Sequence, residues 1–253
     1  MGDSPGPGTP SGQAALESRP LRAYLASALT GLDDVEREQI FAASDAIAAA
    51  CSATRIELYQ PRASTDPVHH PEVADRVVYR TDRERVLASD LLLYLADRPS
   101  TGAGQELVFA HEAMIPIAVV AHQQARVSRM VTGMVSDQGW LLRYGEVNQL
   151  EERLAAFLAA QLPAIATART ARWRSDAVGF GTRLAELRRC RQLSRERLAG
   201  ALPPTAGVDA ETLAGWEREP ARLSNPSLLQ LIALAEALEV DLGDLLSNRS
   251  RLP

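Results

Sequence analysis

"DLLLYLADRPSTGAGQELVFAHEAMIPIAVVA", Asp90 to Ala121, decides how this chain is read. It begins and ends on short apolar runs, Leu91–Ala96 and Ile115–Ala121. Runs of that length, apolar on both faces, are strands of a parallel sheet covered by helices on each side. Between them, a turn with Pro99, Ser100 and Gly102 leads into a helix predicted over Gly104–Met114. That start places Glu106 in the first helical turn, where a carboxylate suits the helix dipole by up to ~1 kcal/mol.

The flanks extend the same pattern. Leu21–Leu32 reads as a short helix, and Val35–Cys51 as a longer one with Val35, Ile40, Phe41, Ile47 and Ala48 along one face. "RIELYQP", Arg55–Pro61, reads as the first strand, and "RVVYR", Arg76–Arg80, as an extended piece. Thr81 then caps a short helix. "VNQLEERLAAFLAAQL", Val147–Leu162, is an amphipathic helix that closes the domain. The prediction is an α/β domain with a parallel, Rossmann-like sheet over residues 21–162. Before it, residues 1–20 are rich in Gly, Pro and Ser and read as a disordered tail. After it, residues 163–178 read as a linker or helix.

Composition bounds the function. The 253 residues carry a net charge of -5, with 46% hydrophobic and 23% charged residues, an ordinary globular balance. No continuous apolar run approaches the ~18 residues of a membrane span, and the start "MGDSPGPGTPSGQ" lacks the basic and apolar regions of a secretory leader. Two distant cysteines, Cys51 and Cys190, fit a reducing, cytoplasmic setting better than a disulfide framework. His69, His70, His111 and His122 are scattered, so neither a metal centre nor a cofactor is expected. Charge is uneven: Thr167–Gly200 holds 9 arginines against 3 acids. Such a stretch is either a solvated helix face or a footprint for nucleic-acid phosphates.

From residue 179 strand signals stop. Phe180, Leu184 and Leu187 define a first helix; "LSRERLA" starts a second with Ser194 as N-cap; Val208, Leu213 and Trp216 face inward on a third. Asn225, with Pro226 behind it, opens a fourth, and "DLGDLLS" is a fifth. With "WERE" and "LAEALEVDLGDLL", this text resembles the Cro/repressor-type (XRE) helix-turn-helix family over residues 179–247, leaving 248–253 as a tail. The resemblance implies an all-α, five-helix DNA-binding domain whose third helix enters the major groove. Its DNA-contacting positions would be Ser194, Arg195, Asp209, Glu211, Thr212 and Arg218. Asp209 and Glu211 are acids that can accept from cytosine but are repelled by phosphate, and "PPTAG" lengthens the turn. The alternative is a helical module kept for protein contacts.

The opening stretch, with "ARVSRMVTG" downstream, resembles the nucleoside 2-deoxyribosyltransferase superfamily, and within it the branch that hydrolyses deoxynucleoside 5′-monophosphates. The residues themselves suit a nucleotide. Gly102 and Gly104 let a ligand approach the backbone, and a helix start with a Ser100 hydroxyl suits a phosphate. The resemblance implies Glu106 as the carboxylate facing the sugar, Asp90 as a second acid that orients substrate or protonates the base, and Ser128 as a phosphate contact supplied by a neighbouring subunit of a homodimer. Tyr59 stands where the family's strand tyrosine is sought, later than usual, and "ELYQPR" lacks the family's glycine loop. By spacing alone, Glu106, Asp90 and Ser100 also suit a helix start, a helix end and a turn. Joined, the two resemblances predict a DNA-binding transcriptional regulator that senses a nucleotide-like metabolite. Alternatives are an active (deoxy)nucleotide N-glycosidase with an accessory helix-turn-helix, or a scaffold without either activity.

Overall fold

A computed structural model describes residues 19–176, 180–218 and 226–246. The chain divides into two units: residues up to Asp82 with Ser89–Thr170, and Arg83–Ala88 with residues from Ala171 onward. The tails expected at 1–20 and 248–253 lie almost wholly outside the described residues.

The first unit is built on five parallel strands: β1 (Arg22–Ala26), β2 (Glu57–Tyr59), β3 (Leu91–Leu95), β4 (Ile117–His122) and β5 (Gly139–Tyr144), in the order β2-β1-β3-β4-β5. Its helices are α1 (Asp34–Ala53), α2 (Asp75–Leu87), α3 (Thr101–Glu112), α4 (Arg129–Gln138) and α5 (Val147–Asp176). On one face, Ala23, Leu25, Leu91, Leu93, Leu95, Ala118 and Val120 pack with Ile40, Ile47 and Ala50 of α1 and Leu150, Leu154 and Leu158 of α5. The alternate residues, among them Tyr24, Leu92, Tyr94 and Val119, are also buried, on the opposite face. There α3 packs on β1, β3 and β4, and α4 on β4 and β5. This is a Rossmann-like sheet. Strand order reverses between β1 and β3, the place where open α/β sheets form a ligand crevice.

Three expectations need correction. Leu21–Leu32 is not a helix: its core is β1, whose last four residues are all buried at the centre of the sheet. Arg76–Arg80 is not extended, and Thr81 is no cap: both lie inside α2. The inward stripe of α2 is Val78, Asp82 and Val86, and the carboxylate in its middle hides the helical period. Helix α3 begins three residues earlier than predicted, capped by Ser100, whose Oγ accepts from Ala103 N at 3.2 Å. The segment Arg129–Tyr144 carried no expectation and forms α4 and β5.

Helix α5 runs through Pro163 rather than ending before it. A proline there removes one helical hydrogen bond, while Ile165 beyond it is anchored in the core. Val147–Arg172 is long and apolar enough to cross a membrane by length and composition. Leu150, Leu154, Leu158 and Ile165 of this helix pack in the core with the sheet.

The second unit has five helices among the described residues: α6 (Phe180–Cys190), α7 (Arg195–Ala201), α8 (Ala210–Arg218), α9 (Leu228–Ala237) and α10 (Leu242–Leu246). Phe180, Leu184, Leu187, Leu198, Leu213, Trp216, Leu234 and Leu245 form its core, so the three residues expected inward on the first helix are there. Ser227, not Asn225, caps α9, in a capping box with Gln230; Asn225 lies outside the described residues. Helices α6 and α8 meet at Gly181, where a Cβ would stand 1.9 Å from Trp216 O. Gly181→Ala is therefore expected to cost about 1–3 kcal/mol, because backbone must move. Urea unfolding followed by far-ultraviolet circular dichroism measures it, and an unchanged midpoint would refute the close approach.

Candidate active site

Three elements bring three side chains together. From the middle of β1, the Tyr24 hydroxyl donates to Glu106 Oε1 at 2.7 Å. Because α3 starts at Thr101, Glu106 is in its second turn, not its first. It is therefore placed to meet the sheet, with little to gain from the helix end. Asp82, buried on α2, completes the set.

The electrostatics follow from burial. Glu106 is pushed up to about 7, chiefly by burial, with the Asp82 charge adding and the Tyr24 hydrogen bond opposing. Asp82 is pushed up to about 6 by burial, and hydrogen bonds from Thr65 and Tyr24 hold back part of the rise. Burial and the nearby Glu106 charge also drive the Tyr24 hydroxyl far above its ordinary range, so it remains a donor. Two buried carboxyls with one proton between them near neutrality are suited to acid–base or glycosidic chemistry.

Asp90 is not part of this set. It precedes β3, at the amino end of the sheet, whereas Ser100 and α3 follow the carboxyl end. Its carboxylate accepts from Arg19 Nη2 at 2.9 Å and from Arg22 N at 3.0 Å. These bonds anchor the chain entering β1. The carboxylate near Glu106 is Asp82, which sequence reading missed because it sits in the segment read as an extended piece followed by a short capped helix. Tyr24 was missed with β1. "RAYLA" is preceded by Pro20 and followed within a few residues by Gly31, boundaries that fit a short strand better than a helix. Gly31, at φ +74°, turns the chain in the loop after β1.

The remaining predicted contacts are placed as follows. Ser100 Oγ accepts from Ala103 N, so its hydroxyl proton is not used in that bond. Gly102 and Gly104 lie in the first turn of α3 rather than before it. A Cβ at Gly104 would meet nothing within 4 Å, and one at Gly102 only Ser100 Oγ at 3.9 Å. The glycines thus leave open space beside the helix start, where the first N–H groups have no intrahelical acceptor. Ser128 caps α4, accepting from Met130 N at 3.2 Å, is exposed, and hydrogen-bonds neither carboxylate. Tyr59 stacks its ring on Tyr24 at 5.5 Å, while its hydroxyl meets Ser64 Oγ at 2.7 Å.

The loop carrying Ser100 is fixed at its root. Asp97 Oδ1 accepts from His122 N at 2.6 Å and Oδ2 accepts from the Tyr144 hydroxyl, tying the ends of β3, β4 and β5 together. A cavity of about 500 Å³ opens beside these residues, lined also by Arg98, Gln39 and Gln124. Among the described residues, no group of three or more His, Cys, Asp or Glu is placed to hold a metal ion.

In the second unit, four of the six predicted DNA contacts take part in hydrogen bonds within the unit. Ser194 caps α7, accepting from Arg197 N at 3.2 Å. Arg195 donates through Nε to Glu217 Oε2 at 2.9 Å. Glu217 is 2% exposed and also takes two bonds from Arg188, at 2.6 and 2.8 Å. Burial opposes its ionisation, but Arg188 and Arg195 outweigh it and hold the carboxyl below the usual glutamate range. Asp209 Oδ1 accepts from both Thr212 N and Thr212 Oγ1 at 2.7 Å, at the start of α8. Glu211 is exposed in the first turn of α8, and the Arg218 side chain lies outside the described residues.

No protein-family model and no curated protein matches the chain. Solved structures do. A conserved protein from Enterococcus faecalis V583 is similar at 18% identity and TM-score 0.43, over 55% of this chain and 100% of that one. The CMP N-glycosidase BcmB of Clostridium botulinum is similar at 16% identity and TM-score 0.40, over 54% of this chain and 99% of that one.

Proposed function

We propose that the α/β unit cleaves the N-glycosidic bond of a (deoxy)nucleoside 5′-monophosphate, and that the helical unit directs this nucleotide chemistry to DNA. The observation that carries the first half is the Tyr24–Glu106 hydrogen bond with Asp82 beside it. Breaking C1′–N develops oxocarbenium character at the sugar. Glu106, as carboxylate, attacks or stabilises C1′, and Asp82 delivers a proton to the departing base. Water then adds at C1′ and completes hydrolysis. Ser100 and the N–H groups opening α3 hold the phosphate. Burial raises both carboxyls above their ordinary range, and the productive form carries the proton on Asp82 and the charge on Glu106.

The test is release of free base from each of the four deoxynucleoside monophosphates, followed by chromatography. Asp82→Asn is expected to lose about a hundredfold or more of the rate, while Asp90→Asn keeps it. A full rate in Asp82→Asn would overturn the assignment.

A second reading makes the pocket a sensor and the chain a transcriptional regulator. It is favoured by the five-helix unit, with α7 capped by Ser194 and α8 following one loop later. In this reading Arg197 and neighbouring arginines carry the phosphate contacts, since Arg195 is bound to Glu217. A homodimer would present two helical units to two half-sites and bring a second Ser128 to each pocket. Nucleotide binding without turnover, with salt-dependent binding to the DNA upstream of its own gene, distinguishes it. No DNA binding at low salt removes it.

A further inference from the structure

Asp82 has a neighbour that the proposed chemistry has not yet used. Thr65 is buried, on the segment between β2 and α2, and its Oγ1 lies 3.4 and 3.5 Å from the two Asp82 oxygens. The same hydroxyl reaches Pro61 O at 3.1 Å. The next residue, Asp66, is 0% exposed, and both its oxygens accept from Arg37 Nη1 at 3.1 Å. Asp66 is also bonded to His69 Nδ1 and, at 3.4 Å, to Val68 N. Arg37 Nη2 in turn donates to Leu29 O at 3.0 Å, fastening this bracket to the loop that follows β1.

We propose that Thr65 is a positioning residue for Asp82, held by the buried Asp66 clamp, and that its hydroxyl supports Asp82 in both protonation states. This rests on the N-glycosidase reading. A hydroxyl has one proton and two lone pairs. When Asp82 is charged, Thr65 donates to it. When Asp82 is protonated, Thr65 turns its proton to Pro61 O and accepts from the acid. An acid that gives up and regains a proton in each turnover is thus never left with an unsatisfied buried group, which would be costly. The other groups facing Asp82, Tyr24 from β1 and Glu106 from α3, come from elements packed on the sheet. The hydroxyl is therefore what the Pro61–Ala74 segment contributes, and a valine of the same shape cannot replace it.

The test uses the full chain with Thr65→Val, Thr65→Ser and Asp66→Asn. Two readouts are taken: the pH dependence of kcat and KM for base release, and a carbon-13 NMR titration of the Asp82 carboxyl, which needs no turnover. Thr65→Val is expected to lower kcat about tenfold with KM within about twofold, and to move the Asp82 titration upward. Thr65→Ser restores both, and Asp66→Asn moves the titration in the same direction as Thr65→Val. An Asp82 titration unchanged by Thr65→Val, or a Thr65→Ser variant as impaired as Thr65→Val, overturns the proposal. If the wild type releases no base, the glycosidase reading falls, and the titration still decides whether Thr65 supports Asp82.

Discussion

Glu106→Gln is expected to abolish base release, by about a thousandfold or more, and at the same time to stabilise the protein above pH 7. The two effects have one cause. The fold holds the Glu106 carboxyl near about 7, above its ordinary 4.5, chiefly by burying it. The native state therefore binds this proton more tightly than the unfolded chain does. Its contribution is full below the ordinary glutamate range and is lost as pH rises through about 7. A shift of this size corresponds to about 2 kcal/mol, after discounting for the part of the side chain that solvent reaches. Glutamine carries no charge to desolvate and still accepts from Tyr24. Urea unfolding at pH 8 is expected to favour the variant by about 2 kcal/mol, with the two proteins converging near pH 4. Equal midpoints at pH 8 would show that Glu106 is not strained by burial. A shift of the expected sign shows that the carboxylate is held against the stability of its own domain, as proposed catalytic positions often are.

The second large effect is expected at Arg188. Arg188→Ala leaves Glu217, 2% exposed, with Arg195 as its one remaining partner among the described ion pairs. Removing one member of a buried ion pair costs about 3–5 kcal/mol, because the other charge stays buried; Arg195 keeps the expectation near the lower end. Hydrogen exchange measures it locally: amides of α6, α7 and α8 lose protection while β1–β5 keep theirs. The pH dependence has the opposite sign to Glu106. Glu217 is held below its ordinary range, so its contribution is present above that range and is lost as pH falls through the lowered value. Unchanged protection of α8 in Arg188→Ala would mean the network adds nothing. The same network bears on DNA contact. An Arg195 guanidinium that serves Glu217 must exchange that partner for a phosphate, or leave backbone contact to its neighbours.

What the sequence revealed depended on how uniform each element's surroundings are. β3 and β4 are buried on both faces, so their apolar runs were read directly. The Ser194 cap and the inward residues of α6 were legible because helix ends and stripes follow local rules. β1 was lost because its short run, "RAYLA", is alanine-rich and lacks the uninterrupted large aliphatic residues of β3. α2 was lost because Asp82 occupies the middle of its buried stripe, where pattern reading expects an apolar side chain. At Asp82, a polar group placed in a core breaks the pattern by which the core is recognised. Asp90, named by resemblance, adjoins the amino end of β3, opposite to the end that Ser100 follows.

The position of β1 has a consequence for how the pocket comes into being. Tyr24 and Glu106 are separated by 82 residues, and β1 pairs with β2 and β3, both later in the chain. Contacts so distant in sequence form slowly, after loop closure has been overcome. The β3–α3 unit can assemble from neighbouring chain, with Glu106 already on its helix. It has no hydroxyl donor until β1 inserts at the centre of the sheet. A partly folded chain would thus carry a carboxylate without its partner, and chemical competence would arrive together with completion of the sheet.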